Sequence, residues 1–247
     1  MKPLLRWVVL VGLAILALQL FFVLRIAAMA AFNPQSTAFE RSEAWRLATQ
    51  KPSFRWRQQW RDYPDISNNL KRAVIASEDD GFVSHQGVDW GALEKAWKKN
   101  AQVEARSARK AALDTGKGQP AIRPPKVVGG STITQQLAKN LFLSGERTLL
   151  RKGQEMVLTL VLEALLSKQR ILEIYLNSVE WGEGVFGAEA AAQHYFRKSA
   201  SQLSPWEAAR LAAMLPRPKH FEKLPQSAYL SERANTLVTR MPNAELP

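Results

Sequence analysis

The chain has 247 residues, nearly half of them hydrophobic, enough for one ordinary domain and an appendage. It contains no cysteine, which excludes disulfide scaffolds, thiolate metal sites and cysteine nucleophiles. Its net charge of +12 calls for an anionic partner, which by charge alone is nucleic acid, anionic lipid or a phosphorylated substrate.

Trp7 to Leu24 carries no charge, and Gln19 is its only strongly polar side chain. As a helix this run spans about 27 Å, close to the hydrocarbon thickness of a bilayer. Arg25 follows and can snorkel to the interface. Lys2 and Arg6 precede the run, which predicts a cytoplasmic N-terminus and an exported remainder. A cleaved signal peptide is the alternative, with Ala28-Met29-Ala30 as a small-residue cleavage site, but the run is longer than a signal core. We therefore expect residues 1–32 to form a retained anchor.

Residues 33–65 read as a stalk and membrane-proximal segment in which Pro34, Pro52 and Pro64 break any long helix. Phe54-Arg55-Trp56-Arg57 and Trp60-Arg61 interleave aromatic and basic groups, a pattern that suits lipid headgroups or a half-buried strand. A domain is expected over 66–247. Asp65 or Ser67 caps its first helix, which delivers Glu78-Asp79-Asp80-Gly81-Phe82-Val83-Ser84-His85-Gln86-Gly87. If the helix continues, Glu78, Phe82 and His85 share one side. A carboxylate beside an aromatic ring can have a raised pKa and act as a general base; a solvated acidic face satisfies the same pattern. His85, His194 and His220 have no paired spacing, which disfavours a histidine metal site.

Asp89 to Val103 reads as a helix. Residues 94–126 carry nine basic against three acidic side chains, and glycine and proline in the second half predict a mobile insert. Next comes Gly129-Gly130-Ser131-Thr132-Ile133-Thr134-Gln135-Gln136-Leu137-Ala138-Lys139-Asn140. Thr132 and Gln135 form a capping box. Glycines that permit a close approach, free N–H groups at a helix start, and the cations Lys139, Arg147, Arg151 and Lys152 suit a phosphate or diphosphate. An ordinary capped helix with a polar face is the simpler account.

Arg147 to Asn177 has a long helical pattern with apolar positions that include Leu150, Val157, Val161, Leu165 and Leu172. Arg151 and Lys152 lie four and three residues before Glu155, within contact on a helix surface. Gly182, Gly184 and Gly187 mark a tight turn or close backbone approach, and an alanine-rich helix runs from Gly187 to Phe196. Ser204-Pro205-Trp206-Glu207 is a capping box with proline at the first helical position. Residues 226–240 form a last surface helix.

Five of these segments, in order, resemble the signatures of the peptidoglycan glycosyltransferases, the family that polymerises lipid II. They are Glu78-Asp79-x-x-Phe82-x-x-His85-x-Gly87, the Gly129–Asn140 string, Arg151-Lys152-x-x-Glu155 with Glu163, the Leu172 to Gly187 segment, and Ser204 to Pro218. The resemblance implies a mainly α fold: a lysozyme-like helical domain behind a single N-terminal transmembrane helix, in the monofunctional form. It implies Glu78 as the catalytic base and Glu155 as a second carboxylate of the site. Ser131, Thr132, Gln135, Gln136, Lys139, Asn140, Arg147, Arg151 and Lys152 would bind substrate, and Asp79, Phe82 and His85 would form the site wall, with Glu163 holding packing together. The implied reaction joins lipid II to a growing glycan strand by inverting β-1,4 transfer and releases undecaprenyl pyrophosphate. No cofactor is required, although a divalent cation (Mg or Mn) on the pyrophosphate fits the chemistry. The implied location is the inner membrane, with the catalytic domain in the periplasm. Other cell-wall synthesis or division proteins are the expected partners, and nucleic acid is not. Two rivals remain: a lysozyme-like lytic glycosidase, which also needs a Glu, and a non-catalytic membrane-tethered module that binds polyanions or lipid.

Overall fold

The computed structural model of the chain describes residues 3–51, 53–113, 130–146 and 148–247. Arg147, Gly129, Lys2, Pro52 and the 114–126 part of the basic insert lie outside the described residues.

The first helix, α1 (Pro3–Ala28), is long and apolar enough to cross a membrane, and most of its surface is exposed. Its C-terminal end is docked. Ile26 and Met29 are buried in the domain core, Phe22 meets Phe142 edge-on, and the Arg25 guanidinium lies over the same Phe142 ring instead of reaching outward. Gln19 finds a partner for its polar group: its side-chain amide exchanges two hydrogen bonds with that of Gln154, at 3.0 and 3.1 Å. Arg170 then donates to the carbonyl oxygens of Met29 and Phe32 and to Asn33 Oδ1.

The segment expected to be a stalk is folded onto the domain. It contains α2 (Ala38–Gln50), started by a capping box in which Thr37 Oγ1 accepts the Glu40 N–H and Glu40 returns a bond to the Thr37 N–H. The prolines bound this helix instead of preventing it. Then β1 (Arg57–Gln58) joins a small sheet. Several of the aromatic and basic groups here make internal contacts: Trp56 stacks on Phe186 at 4.6 Å, Arg57 bonds His194 at 2.9 Å and Arg61 pairs with the buried Glu189 at 3.2 Å, while Phe54 and Arg55 are exposed.

Ser67, not Asp65, caps α3 (Asn68–Glu78), which buries Leu70, Ala73, Val74, Ile75 and Ala76. This helix ends at Glu78, so Glu78, Phe82 and His85 do not share a helical face; residues 80–87 form turns. Helix α4 (Trp90–Leu113) runs ten residues beyond the expected end, so the first part of the basic insert is helical, and the glycine- and proline-rich part expected to be mobile lies outside the described residues. The long pattern from Arg147 splits in two. After α5 (Ile133–Phe142) come α6 (Leu149–Leu165) and α7 (Lys168–Ser178). Leu166 is extended and Ser167 caps α7 by accepting the Arg170 N–H, which ends one helix and starts the next. Of the apolar positions of that pattern, Leu150, Val157 and Leu165 are exposed on α6.

Strands β2 (Glu180–Gly182) and β3 (Val185–Phe186) complete the sheet in the order β1-β3-β2, with β1 parallel and β2 antiparallel to β3. Glycine is required at two positions of this turn. Gly184 (φ 72°) would bring a Cβ to 2.3 Å from Arg55 O, and Gly187 (φ 82°) would bring one to 2.7 Å from Asn177 O. The alanine-rich α8 (Ala188–Phe196) follows, then α9 (Pro205–Met214) with its Ser204–Glu207 capping box, the short α10 (Pro218–Phe221) and α11 (Ala228–Arg240). Helix α11 buries Leu230, Ala234 and Leu237 against α3 and α9, so it is a packing helix and not only a surface one. The molecule is thus mainly helical, with α3, α9 and α11 packed together and α5, α6 and α7 grouped beside them.

Candidate active site

Glu78 stands at the last position of α3, where its side chain leaves the helix end and meets α5. Its Oε2 accepts a hydrogen bond from Gln136 Nε2 at 3.1 Å, and its Oε1 accepts one from Ser77 Oγ at 3.1 Å. The fully buried Tyr175 donates its hydroxyl to Gln136 Oε1 at 3.1 Å. The Glu78 carboxylate only accepts, so it takes the NH2 end of the amide and leaves Gln136 Oε1 for the tyrosine hydroxyl. The surrounding protein desolvates the Glu78 carboxyl and raises its pKa, while Gln136, Ser77 and Arg233 pull it back down and Asp79 adds to the rise. A raised but hydrogen-bonded carboxylate has the balance a general base needs.

The start of α5 was expected to offer free N–H groups to an external anion. Instead internal acceptors take two of them, the Ile133 and Gln135 N–H groups. Asp79 Oδ2 accepts the Ile133 N–H at 2.9 Å, and Asp79 Oδ1 bonds His85 Nε2 at 2.8 Å. Thr132 and Gln135 satisfy each other through the capping box, and the Thr132 hydroxyl also donates to Gly87 O at 2.6 Å. The Thr132 and Asp79 side chains are thus both engaged in hydrogen bonds within the protein. Gly130 lies beside α4, where an added Cβ would sit 3.4 Å from that of Ala96. Phe82 is buried in the core, with Lys168 Nζ 4.6 Å above its ring. Glu163 accepts Thr134 Oγ1 at 2.5 Å and Lys168 Nζ at 2.8 Å, a packing role as expected.

The cations gather on the next face of α5 and on α6. Glu155 is buried and accepts Arg151 Nη1 at 2.7 Å on one oxygen and Lys152 Nζ on the other. Lys139 reaches solvent in part but sits deep enough for desolvation to lower its pKa, with Glu155 opposing the change and Arg151 and Lys152 reinforcing it. A cleft of about 140 Å³ is lined by Ser131, Gln135, Gln136, Lys139, Arg151, Lys152 and Glu155. A larger cleft of about 360 Å³ shares Gln136, Lys139 and Arg151 with it and adds Asn140, Phe39, Leu215 and Glu180. Gln136 thus touches both the acid and the cationic cleft. Sequence reasoning missed Glu180 and Arg233. Glu180 is buried on β2, 3.1 Å from Lys219 Nζ, and burial pushes its pKa up to about 7. Nothing in its local sequence distinguished it from a turn residue.

The fold and site define a helical enzyme with an anchor-like N-terminal helix, in which one hydrogen-bonded acid borders a groove of fixed cations suited to a phosphorylated substrate. A family model described as Transglycosylase matches residues 46–242. The biosynthetic peptidoglycan transglycosylase of Herminiimonas arsenicoxydans is 51% identical over 249 residues, spanning 100% of this chain and 99% of the relative. That of Burkholderia thailandensis is 52% identical over 232 residues, spanning 94% and 83%, and that of Burkholderia ambifaria strain MC40-6 is 50% identical over 246 residues, spanning 98% and 92%. The chain belongs to the transglycosylase family: it is a glycosyltransferase that polymerises the glycan strands of peptidoglycan. The match begins at residue 46, inside the segment expected to be a stalk.

Proposed function

We propose that the chain joins lipid II units to a growing glycan strand, with Glu78 as the base and the groove between α5 and α6 as the holder of the leaving diphosphate. Glu78 takes the proton from the 4-hydroxyl of the acceptor GlcNAc. The freed oxygen attacks C1 of the donor MurNAc from the side opposite the diphosphate. The bond from C1 to the diphosphate oxygen breaks, undecaprenyl diphosphate leaves with the electron pair, and the α-linkage becomes β-1,4. The observation that carries this reading is Gln136: one side chain hydrogen-bonds the proposed base and lines the cleft that Lys139 and Arg151 also line.

Charge develops on the leaving oxygen, and cations already fixed in place stabilise it without reorganising. Lys139, Arg151 and Lys152 fill that role, with Ser131, Gln135 and Asn140 as polar contacts; Arg147 belongs to the same proposed set. Glu155 holds Arg151 and Lys152 in position. It does not fit the role of metal ligand, because both its oxygens are engaged by those cations. No group of three His, Asp or Glu able to hold a metal occurs among the described residues. A divalent cation on the diphosphate would take its ligands from phosphate oxygens.

The apolar α1 fits a membrane anchor. With Lys2 and Arg6 before it, the reading puts the N-terminus in the cytoplasm and the domain on the periplasmic side of the inner membrane. Incubation with labelled lipid II tests the whole reading, and high-mass glycan with released lipid diphosphate is the expected product. Cleavage of purified glycan strands with no polymer from lipid II would replace it with a lytic glycosidase.

A further inference from the structure

Glu78 must be ionised to accept a proton, yet burial favours its neutral form. The charges that act on it most strongly come from two directions. Asp79, the next residue, raises its pKa further. Arg233, on the second turn of α11 and 156 residues from Ser77 in sequence, lowers it. The buried Tyr175 also faces this cluster from α7, but its own pKa is raised well above the usual value by burial and by the two acids, so it stays neutral. Gln136 on α5 is neutral.

Arg233 reaches the acid through one intermediate. Its Nη2 donates to Ser77 Oγ at 3.2 Å, and Ser77 Oγ donates to Glu78 Oε1 at 3.1 Å. The competing acceptor for the Ser77 hydroxyl, Ala212 O, is more distant at 3.4 Å. A guanidinium donates only, so it occupies a lone pair of the Ser77 oxygen and leaves the Ser77 proton for an acceptor, of which the Glu78 carboxylate is the nearer.

We infer that Arg233 is a positioning residue for the base: it holds the Ser77 hydroxyl that bonds Glu78 and brings a positive charge to that side of the acid. The inference rests on the reading of Glu78 as the base. It also gives α11, which contains none of the five signature segments, a direct part in the site.

The test is the pH dependence of polymerisation by the full-length protein in detergent micelles, with labelled lipid II as the probe, from about pH 5 to pH 9. Loss of the charge in Arg233→Met raises the Glu78 pKa, so the acidic limb of the profile moves up by about one unit, about tenfold lower activity on that limb. Activity on the alkaline plateau changes by no more than about threefold. Arg233→Lys restores most of the limb. Ser77→Ala, a small change that keeps the fold if Arg233→Met does not, moves the limb in the same direction by less. An unmoved limb, or a loss by the same factor at every pH, overturns the proposal. Glu78→Gln separates the two readings: if it is inactive while the Arg233 and Ser77 variants leave the limb in place, only the role of Arg233 fails; if it still polymerises, Glu78 is not the base.

Discussion

Asp79 makes an unusual commitment. Its side chain is almost wholly buried, and its two oxygens go to the first N–H of α5 and to His85. The change Asp79→Asn keeps the size and one acceptor oxygen but removes the charge. Losing a helix-capping acceptor costs about 0.5–2 kcal/mol, and losing a negative charge at a helix N-terminus costs about 0.3–1 kcal/mol at the surface and up to about 2 kcal/mol when partly buried. Because the Asn oxygen can still accept one of the two bonds, we expect about 1–3 kcal/mol in total. In a domain of this size that lowers Tm by about 3–10 °C, measured by circular dichroism on the detergent-solubilised chain. Ser131→Ala is the control. Ser131 is exposed beside the same helix start, and its loss should leave Tm within about 1 °C. If Asp79→Asn melts with the wild type, the helix start does not depend on an internal carboxylate, and its amides are again available to substrate.

Two further predictions concern the cleft wall and the anchor. The pKa of Glu180 is raised from 4.5 to about 7, so its contribution favours the folded state below pH 4.5 and is lost as the pH rises toward and through 7, an effect of about 3 kcal/mol. Glu180→Gln should therefore flatten the fall in stability between pH 5 and pH 8, followed by thermal unfolding at each pH; a slope equal to that of the wild type removes Glu180 as its source. The Gln19–Gln154 pair docks α1 on α6 beside Glu155. Gln19→Leu should weaken that docking by about 1 kcal/mol, seen as roughly fivefold faster amide hydrogen exchange in the first turns of α6, and unchanged exchange would show that the apolar contacts of Ile26 and Met29 suffice.

What sequence revealed about this molecule was local. The capping boxes at Thr132–Gln135 and Ser204–Glu207, the glycine turn around residue 184 and the spacing of Arg151, Lys152 and Glu155 each concern residues within four positions of one another, where helix geometry dictates the contact. The Thr37–Glu40 capping box carried the same signal, but the surrounding prolines hid the helix it starts. The break at Leu166–Ser167 was hidden by an apolar pattern that stays in phase across it. The rest depends on partners far apart in the chain. Asp79 caps a helix 54 residues away, Glu78 meets Gln136 across 58 residues, and Ser77 meets Arg233 across 156. Nothing in the spacing of such residues records their meeting. The resemblance to a known family assigned Glu78 and the cations to one site; only the fold could reveal that the Thr132 and Asp79 side chains are engaged within the protein and that α11 reaches the acid.

The account turns on a single carboxyl group, and Glu78→Gln tests it most directly. The amide keeps the shape of the side chain and a hydrogen-bonding partner for Gln136, but it cannot take a proton from a sugar hydroxyl. With labelled lipid II in micelles, we expect this variant to bind the lipid near the wild-type level and to form no glycan polymer. Polymer formation at a rate comparable to that of the wild type would contradict the account.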